Sequence, residues 1–217
     1  MKENSLFKYG ILSKSRVEAF SDGIFAIIVT LLILELRVPH IEHAESGKEL
    51  LNALGMFVAP KIVSWAISFL TICIVWVNHH RLFEMLKGVN IVLFWLNVQL
   101  LLFVCFVPFP TALVGDYPRN PVAVASYGLV MGCACAAFIA IRLYGFKHQE
   151  LLKETVQPRA YKKEMVMAFI FGPVLYMTAA ALAFVHTYIS FAMYFMITVY
   201  FMFSFIMQKT EQAKLPQ

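Results

Sequence analysis

Residues 16–36 read RVEAFSDGIFAIIVTLLILEL, and this stretch decides the class of fold. A helix needs about 20 mostly apolar residues to cross the hydrocarbon core of a bilayer. The stretch meets that length and places Arg16, Ser21 and Asp22 at one end. Ionisable side chains at membrane depth are costly, and they mark a function or a specific internal pairing. The sequence therefore predicts a first spanning helix with a polar end.

The composition of the whole chain excludes an ordinary soluble protein. Of the 217 residues, 60% are hydrophobic and only 14% are charged, and the mean hydropathy is +0.73. A soluble domain carries about 25% charged residues. We therefore expect an all-α integral membrane protein and not a soluble enzyme.

Six stretches are long and apolar enough to be spanning helices. They lie at about 18–37, 58–78, 90–113, 122–144, 165–185 and 188–207. Residues 1–217 are therefore predicted to form a single six-helix transmembrane domain with both termini on one side of the membrane. Between the first two spans, the amphipathic segment 48–57 predicts a short helix at the membrane surface.

The distribution of Lys and Arg predicts which side that is. Of the 18 basic residues, 14 lie in the termini and in the second and fourth loops with their flanks. Basic residues concentrate on the cytoplasmic side of membrane proteins, so the N- and C-termini are predicted to be cytoplasmic. The same asymmetry accounts for the net charge of +5, and we expect no nucleic-acid partner.

One face of the first helix carries an almost continuous apolar stripe. At 3.6 residues per turn, one set of side chains shares this face, namely Phe20, Gly23, Ile27, Thr30, Leu31 and Leu34. Ser21 and Asp22 point away from it. Such a stripe is typical both of ordinary helix packing and of a helix that lines a pore, and its periodicity alone favours packing.

The polar end of the first helix predicts a clamp to the second helix. Both elements reach the same cytoplasmic depth, so Arg16 and Asp22 can approach a set of polar residues on the second helix, which comprises Trp76, Asn78, His79 and His80. Asp22 would accept a hydrogen bond from an indole or imidazole N–H. The alternative is that the two histidines are merely interfacial and solvated. In the third span, Asn90, Asn97 and Gln99 predict interhelical hydrogen bonds.

Four short motifs together resemble the transmembrane protein 175 family of endosomal and lysosomal potassium channels. They are Arg16-x-x-x-Phe20-Ser21-Asp22, Thr30-Leu31-Leu32-Ile33-Leu34-Glu35, Trp76-x-x-His79-His80-x-x-Phe83 and Phe106-Val107-Pro108-Phe109-Pro110-Thr111. The resemblance covers essentially the whole chain, which is similar to one six-span repeat of the family. A single repeat is typical of the prokaryotic branch, so the resemblance implies a multi-pass protein of the cell membrane, in a bacterium the inner membrane.

The resemblance also implies a homotetramer whose first helices line a central pore for potassium and other monovalent cations. Like the family, this chain lacks the TVGYG filter of ordinary potassium channels. The family's main constriction falls on Ile27, further apolar layers fall on Leu31 and Leu34, and the pore-facing hydroxyl falls on Thr30. A second set of residues would hold this helix from behind, namely Arg16, Phe20, Ser21 and Asp22. The partners expected are further copies of the chain and the lipid bilayer, with no cofactor.

Other functions remain as alternatives. An ion-coupled secondary transporter would favour inverted repeats and broken helices, and neither is visible in the sequence. A proton-conducting channel would use Asp22, His79 and His80, but these cluster near one end of the spans. An enzyme is not expected, because no metal-ligand spacing such as HExxH occurs and no metal site is predicted, including at the loop pair His40 and His43.

Overall fold

The fold is built almost entirely from helices. The computed structural model describes residues 13–38 and 46–212, apart from the side chains of residues 53, 57 and 204–212. The helices of the first half are α1 (Lys14–Leu31), α2 (Gly47–Ala53), α3 (Ala59–Glu84), α4 (Ile91–Phe106) and α5 (Pro108–Asp116). Those of the second half are α6 (Pro121–Lys147), α7 (Pro158–Phe169), α8 (Leu175–Leu182) and α9 (Thr187–Gln212).

Irregular turns extend or join several of these helices. A 3₁₀ turn, Leu32–Glu35, continues α1, and a π turn, Leu54–Val58, joins α2 to α3. A second π turn, Ile170–Val174, contains Pro173 and joins α7 to α8. Proline has no backbone N–H and clashes with the preceding turn, so a regular helix cannot continue through it unchanged. The wider turn keeps the two halves of this span continuous.

The described residues contain five helical segments that are long and apolar enough to cross a membrane. These are Lys14–Glu35, Ala59–Glu84, Ile91–Asp116, Pro121–Lys147 and Pro158–Leu182. In α9, the part whose side chains the structure describes, Thr187–Phe203, is also apolar. The expectation of a multi-pass, all-α membrane protein is therefore confirmed. A sixth crossing by α9 stays a prediction.

The second span is longer than the sequence predicted. The expected end was residue 78, whereas α3 continues to Glu84. Asn78, His79 and His80 therefore lie inside the helix and not at its end. The helix can continue past residue 78 because residues 79–87 contain no proline or glycine. The predicted surface segment 48–57 forms α2 and most of the π turn that follows, continuous with α3.

The core is organised around α6, which packs against α4, α5, α7, α8 and α9. Close approach is possible because small residues occupy its contact face, as is common where membrane helices meet. At Gly128, an added Cβ would lie 2.9 Å from both the Tyr176 carbonyl oxygen and the Ala180 Cβ. Glycine at this position allows α6 and α8 to touch.

By contrast, α1 lies at the edge of the bundle. It packs chiefly against α3 and α4, and contacts on other sides are few. One side of the helix is therefore buried in the protomer and the other side is left open.

We predict that Gly128→Ala destabilises the protein. The new methyl group must push against the backbone of α8, and overpacking of this kind costs about 1–3 kcal/mol. Thermal unfolding in detergent, followed by tryptophan fluorescence, should show a lower midpoint than for the wild type. Gly55→Ala is the matched control, since a Cβ there meets nothing within 4 Å. Equal midpoints for the two variants would contradict this view of the α6–α8 contact.

Candidate pore-lining helix and its polar support

The two faces of α1 differ sharply in exposure. Phe25, Ile28 and Leu32 are buried, with exposed fractions of 2%, 3% and 0%. On the stripe, Ile27 is 58% exposed, Leu31 44% and Leu34 65%. Among residues 13–38 and 46–203, the apolar side chains of the stripe are therefore left largely uncovered.

The whole predicted stripe lies on this open face. Besides the three residues above, Phe20, Gly23 and Thr30 are exposed as well. Nothing lies within 4 Å of the position that a Cβ would take at Gly23. Within the described part of the chain, no element covers this face.

Thr30 supplies the one hydroxyl on the stripe. Its Oγ1 donates to the carbonyl oxygens of Ala26 and Ile27, at 3.1 and 2.8 Å. Because the proton is directed back into the helix, the oxygen lone pairs remain available on the exposed side. The hydroxyl can therefore accept a hydrogen bond from water or contact a cation.

Behind the stripe, a chain of buried hydrogen bonds joins three helices. His79 Nε2 on α3 lies 2.8 Å from Asn97 Oδ1 on α4, and Asn97 Nδ2 donates to Ser21 Oγ on α1 at 2.9 Å. Ser21 Oγ in turn donates to the Val17 carbonyl oxygen at 2.9 Å. The exposed fractions of His79, Asn97 and Ser21 are 1%, 0% and 0%.

The direction of this chain is determined by its members. Since the Ser21 hydroxyl uses its proton on a carbonyl, it must accept from the Asn97 amide nitrogen. Asn97 Oδ1 then faces His79, so His79 Nε2 carries a proton and donates. Each bond has one donor and one acceptor, and the three polar side chains are paired in an apolar surrounding.

Aromatic rings enclose His79 on both sides. Its ring stacks on Phe83 with centroids 4.2 Å apart, and Phe25 of α1 lies 5.5 Å away. Phe25 therefore extends the contact between α1 and α3 by one turn beyond Ser21. The interpretation of His79 as a solvated interfacial residue is not compatible with this burial.

Midway along α1, next to Ser21, Asp22 accepts a hydrogen bond from the Trp76 indole. The distance between Trp76 Nε1 and Asp22 Oδ1 is 2.8 Å. Both side chains lie at the exposed edge of the α1–α3 contact. Of the donors considered from the sequence, the structure uses the indole and not an imidazole.

The other predicted clamp residues lie elsewhere. His80 stacks on Trp76 at 6.0 Å and pairs with Glu84 at 3.5 Å, and so it supports the indole from one side. Asn78 donates to the Ile74 carbonyl of its own helix. Arg16 is exposed, and its side chain has no hydrogen bond or ion pair to residues 13–38 or 46–203. Phe20 lies on the open stripe and not behind it.

Asn97 is the supporting residue that the sequence analysis did not connect to α1. It was expected to form an interhelical hydrogen bond, but with no assigned partner. The available signal was an amide in the middle of a strongly apolar helix, where an unpaired polar group costs several kcal/mol. Of the other two amides, Asn90 caps α4 through Leu93 N and donates to the Tyr144 hydroxyl, whereas Gln99 is exposed.

The described part of the chain contains no group of three or more His, Cys, Asp or Glu arranged to hold a metal ion. His40 and His43 lie outside the described residues. Of the predicted site residues, the one group that can contact a cation from the stripe is therefore the Thr30 hydroxyl.

The helices that form the stripe and its polar support lie in a region that is similar to known proteins. The family model described as endosomal/lysosomal potassium channel TMEM175 matches residues 16–108. A protein of Chamaesiphon minutus named a potassium channel is 36% identical over 190 residues, which cover 86% of this chain and 92% of that protein. A protein of Streptomyces collinus with the same kind of name is 36% identical over 205 residues, or 93% and 97% of the two chains.

A solved structure is similar throughout. The crystal structure of a lysosomal potassium-selective channel TMEM175 homolog from Chamaesiphon minutus superposes with a TM-score of 0.77 and 34% identity. The match covers 88% of this chain and 97% of the other.

We predict that Asn97→Leu destabilises the fold. The substitution leaves the buried His79 N–H without an acceptor, and an unpaired group of this kind costs about 1–3 kcal/mol. It also removes the donor to Ser21 Oγ, which keeps its bond to the Val17 carbonyl oxygen. The thermal midpoint in detergent should fall. Gln99→Leu is the control, because Gln99 is an exposed amide on the same helix. If both variants unfold at the wild-type temperature, the buried chain does not hold α1.

Proposed function

The chain belongs to the TMEM175 family, and from this membership we propose that it forms a potassium-selective channel whose constriction is a ring of apolar side chains on α1. The two bacterial relatives are named potassium channels, and their similarity to this chain extends over nearly their full length. The family is one of ion channels and not of enzymes.

The proposed pore requires several copies of the chain. One protomer contributes one α1, and its stripe is open on the side away from α3 and α4. Closed symmetric assembly turns such an open face into a ring around an axis. We take the assembly to be a homotetramer with six crossings per chain, cytoplasmic termini and residence in the bacterial inner membrane. No filter of the TVGYG type is available in the sequence to build another pore.

The observation that carries the proposal is the exposure of the stripe together with the fixed orientation of α1. A lipid-facing helix could be equally apolar, but it has no need of a buried polar chain that sets its rotation. Ser21 and Phe25 anchor the opposite face at two successive turns. The helix therefore presents Ile27 and Leu31 in one fixed direction.

The mechanism follows from the chemistry of the ring. Four Ile27 side chains around a narrow axis exclude water, so the ring closes the pore by dewetting and conducts only when it widens. The Thr30 hydroxyls lie about one turn further outward and replace part of the hydration shell of the ion. Potassium is less strongly hydrated than sodium, so it loses less hydration free energy on entering such a ring.

Replacing Ile27 by Ala is expected to raise single-channel conductance by at least about twofold and to weaken potassium selectivity, because the ring becomes wider and wetter. The measurement uses purified protein in planar bilayers with potassium on one side and sodium on the other. The wild-type reversal potential should lie toward the potassium potential, and the variant should move it toward zero.

Ile33→Ala is the matched control. Ile33 is 48% exposed, similar to Ile27, but it lies off the stripe. Its removal should change neither conductance nor reversal potential. Equal effects of the two variants would contradict the constriction. Saturable flux without single-channel currents would instead favour a transporter, and a reversal potential that follows the pH gradient would favour a proton channel.

A further inference from the structure

A cleft separate from the stripe lies between α3, α6, the α7–α8 span and α9. The enclosed cavity has a volume of about 60 Å³. The empty volume is about 570 Å³ when the space on its open side is counted as well. Its walls are mostly apolar and include Ile74, Ala134, Phe138 and Phe201. Its polar lining residues include Thr71 and Tyr176, and Asn78 and Arg142, which lie nearer the C-terminal ends of α3 and α6.

Arg142 is an incompletely paired cation in this lining. Its exposed fraction is 5%, and its Nε atom is buried with no hydrogen-bond partner among the described residues. Its Nη1 reaches Glu164 Oε2 only at 3.4 Å, and the Glu164 side chain is 46% exposed. A guanidinium is always charged and carries five donors, so most of its bonding capacity is unused.

Besides the ion pair with Glu164, two aromatic rings contact the Arg142 guanidinium. Its central carbon lies 5.5 Å from the centroid of the Phe138 ring and 5.6 Å from that of Tyr161. The Tyr161 hydroxyl donates to the Arg142 carbonyl oxygen at 3.0 Å. A planar donor group fixed between two rings is well suited to bind a phosphate through two parallel hydrogen bonds.

The dimensions of the cleft match one leaflet of a bilayer. Along α6 the lining extends from Met131 to Arg142, which is about 16 Å at the rise of an α-helix. The hydrocarbon core of a bilayer is about 30 Å thick, so the cleft reaches from the charged end to about the midplane. Arg142 lies five residues before the end of α6, in the flank where the charge distribution predicts the cytoplasm.

We propose that the cleft binds an anionic phospholipid of the cytoplasmic leaflet, with its phosphate on Arg142 and one acyl chain between α3 and α6. The assignment rests on the proposed topology but not on channel activity. The phosphate would give the Arg142 guanidinium an anionic partner in addition to the half-exposed Glu164, and the acyl chain would fill the apolar space.

The test measures lipid retention by native mass spectrometry of the intact assembly. Wild-type protein is purified with phosphatidylglycerol or with phosphatidylcholine of identical acyl chains. We expect about one phosphatidylglycerol per chain to be retained, at least tenfold more than phosphatidylcholine. Arg142→Gln should remove this preference, and Ala168→Leu, which fills the cleft from α7, should lower retention while leaving the cation in place.

Lys147→Gln is the matched control, because it removes the same charge from the same helix at an exposed position outside the lining. It should leave retention unchanged. Equal retention in wild type, Arg142→Gln and Ala168→Leu would overturn the proposal. Retention of oleate in place of phosphatidylglycerol would also overturn it, since a free fatty acid would then be the occupant.

A second measurement does not depend on the folding of the Arg142 variant. Phosphatidylglycerol added to the wild type should raise its thermal midpoint, because a ligand that binds only the folded state stabilises it. Phosphatidylcholine should not. An equal rise with both lipids would contradict a site that recognises the anionic head group. Since neither measurement uses ion currents, a failure of the proposed channel function would leave them unaffected.

Discussion

The hydrogen-bond chain from His79 through Asn97 to Ser21 is the constraint on which the arrangement of α1 depends. Three polar side chains are buried in apolar surroundings, and each would be costly if left unpaired. They can be paired at once only when α1, α3 and α4 adopt one relative rotation. The Asp22–Trp76 bond, at the residue next to Ser21, adds a second restriction on the same rotation. Rotation of α1 about its axis would break both.

Because these hydrogen bonds fix the rotation of α1, they also determine which of its faces is exposed. An apolar helix in a bilayer gains little from presenting one face or another, because lipid chains are as apolar as leucine. Here the polar chain fixes the face, and Ile27, Leu31 and Leu34 are left open in the protomer. The two sides of α1 therefore differ in role. The side that carries the buried polar groups holds the helix in place, and the other side stays apolar. The constriction we propose would need this rigidity behind it and freedom to widen in front.

Five of the six predicted spans correspond to long apolar helices of the structure, and they were predictable because a bilayer requires such helices with internally satisfied backbones. The four motifs together indicated the TMEM175 family, and the comparisons confirm the family. The pairing of the polar side chains, by contrast, depends on tertiary packing. Nothing in the sequence distinguished Trp76 from His79 as the donor to Asp22, or joined Asn97 to Ser21 across 76 positions. The cleft at Arg142 was equally hidden, because the residue was counted only as a topology signal.

The measurement that tests the central claim most directly is silver-ion block of single-channel current after cysteine substitution along α1. The four native cysteines, Cys73, Cys105, Cys133 and Cys135, are first replaced by alanine. If the stripe lines the pore, silver blocks the current irreversibly with cysteine at position 27, 31 or 34 and leaves it unchanged with cysteine at position 26 or 33. Block at 26 and 33 with none at 27 and 31 would show that another face of α1, or another helix, lines the conduction path.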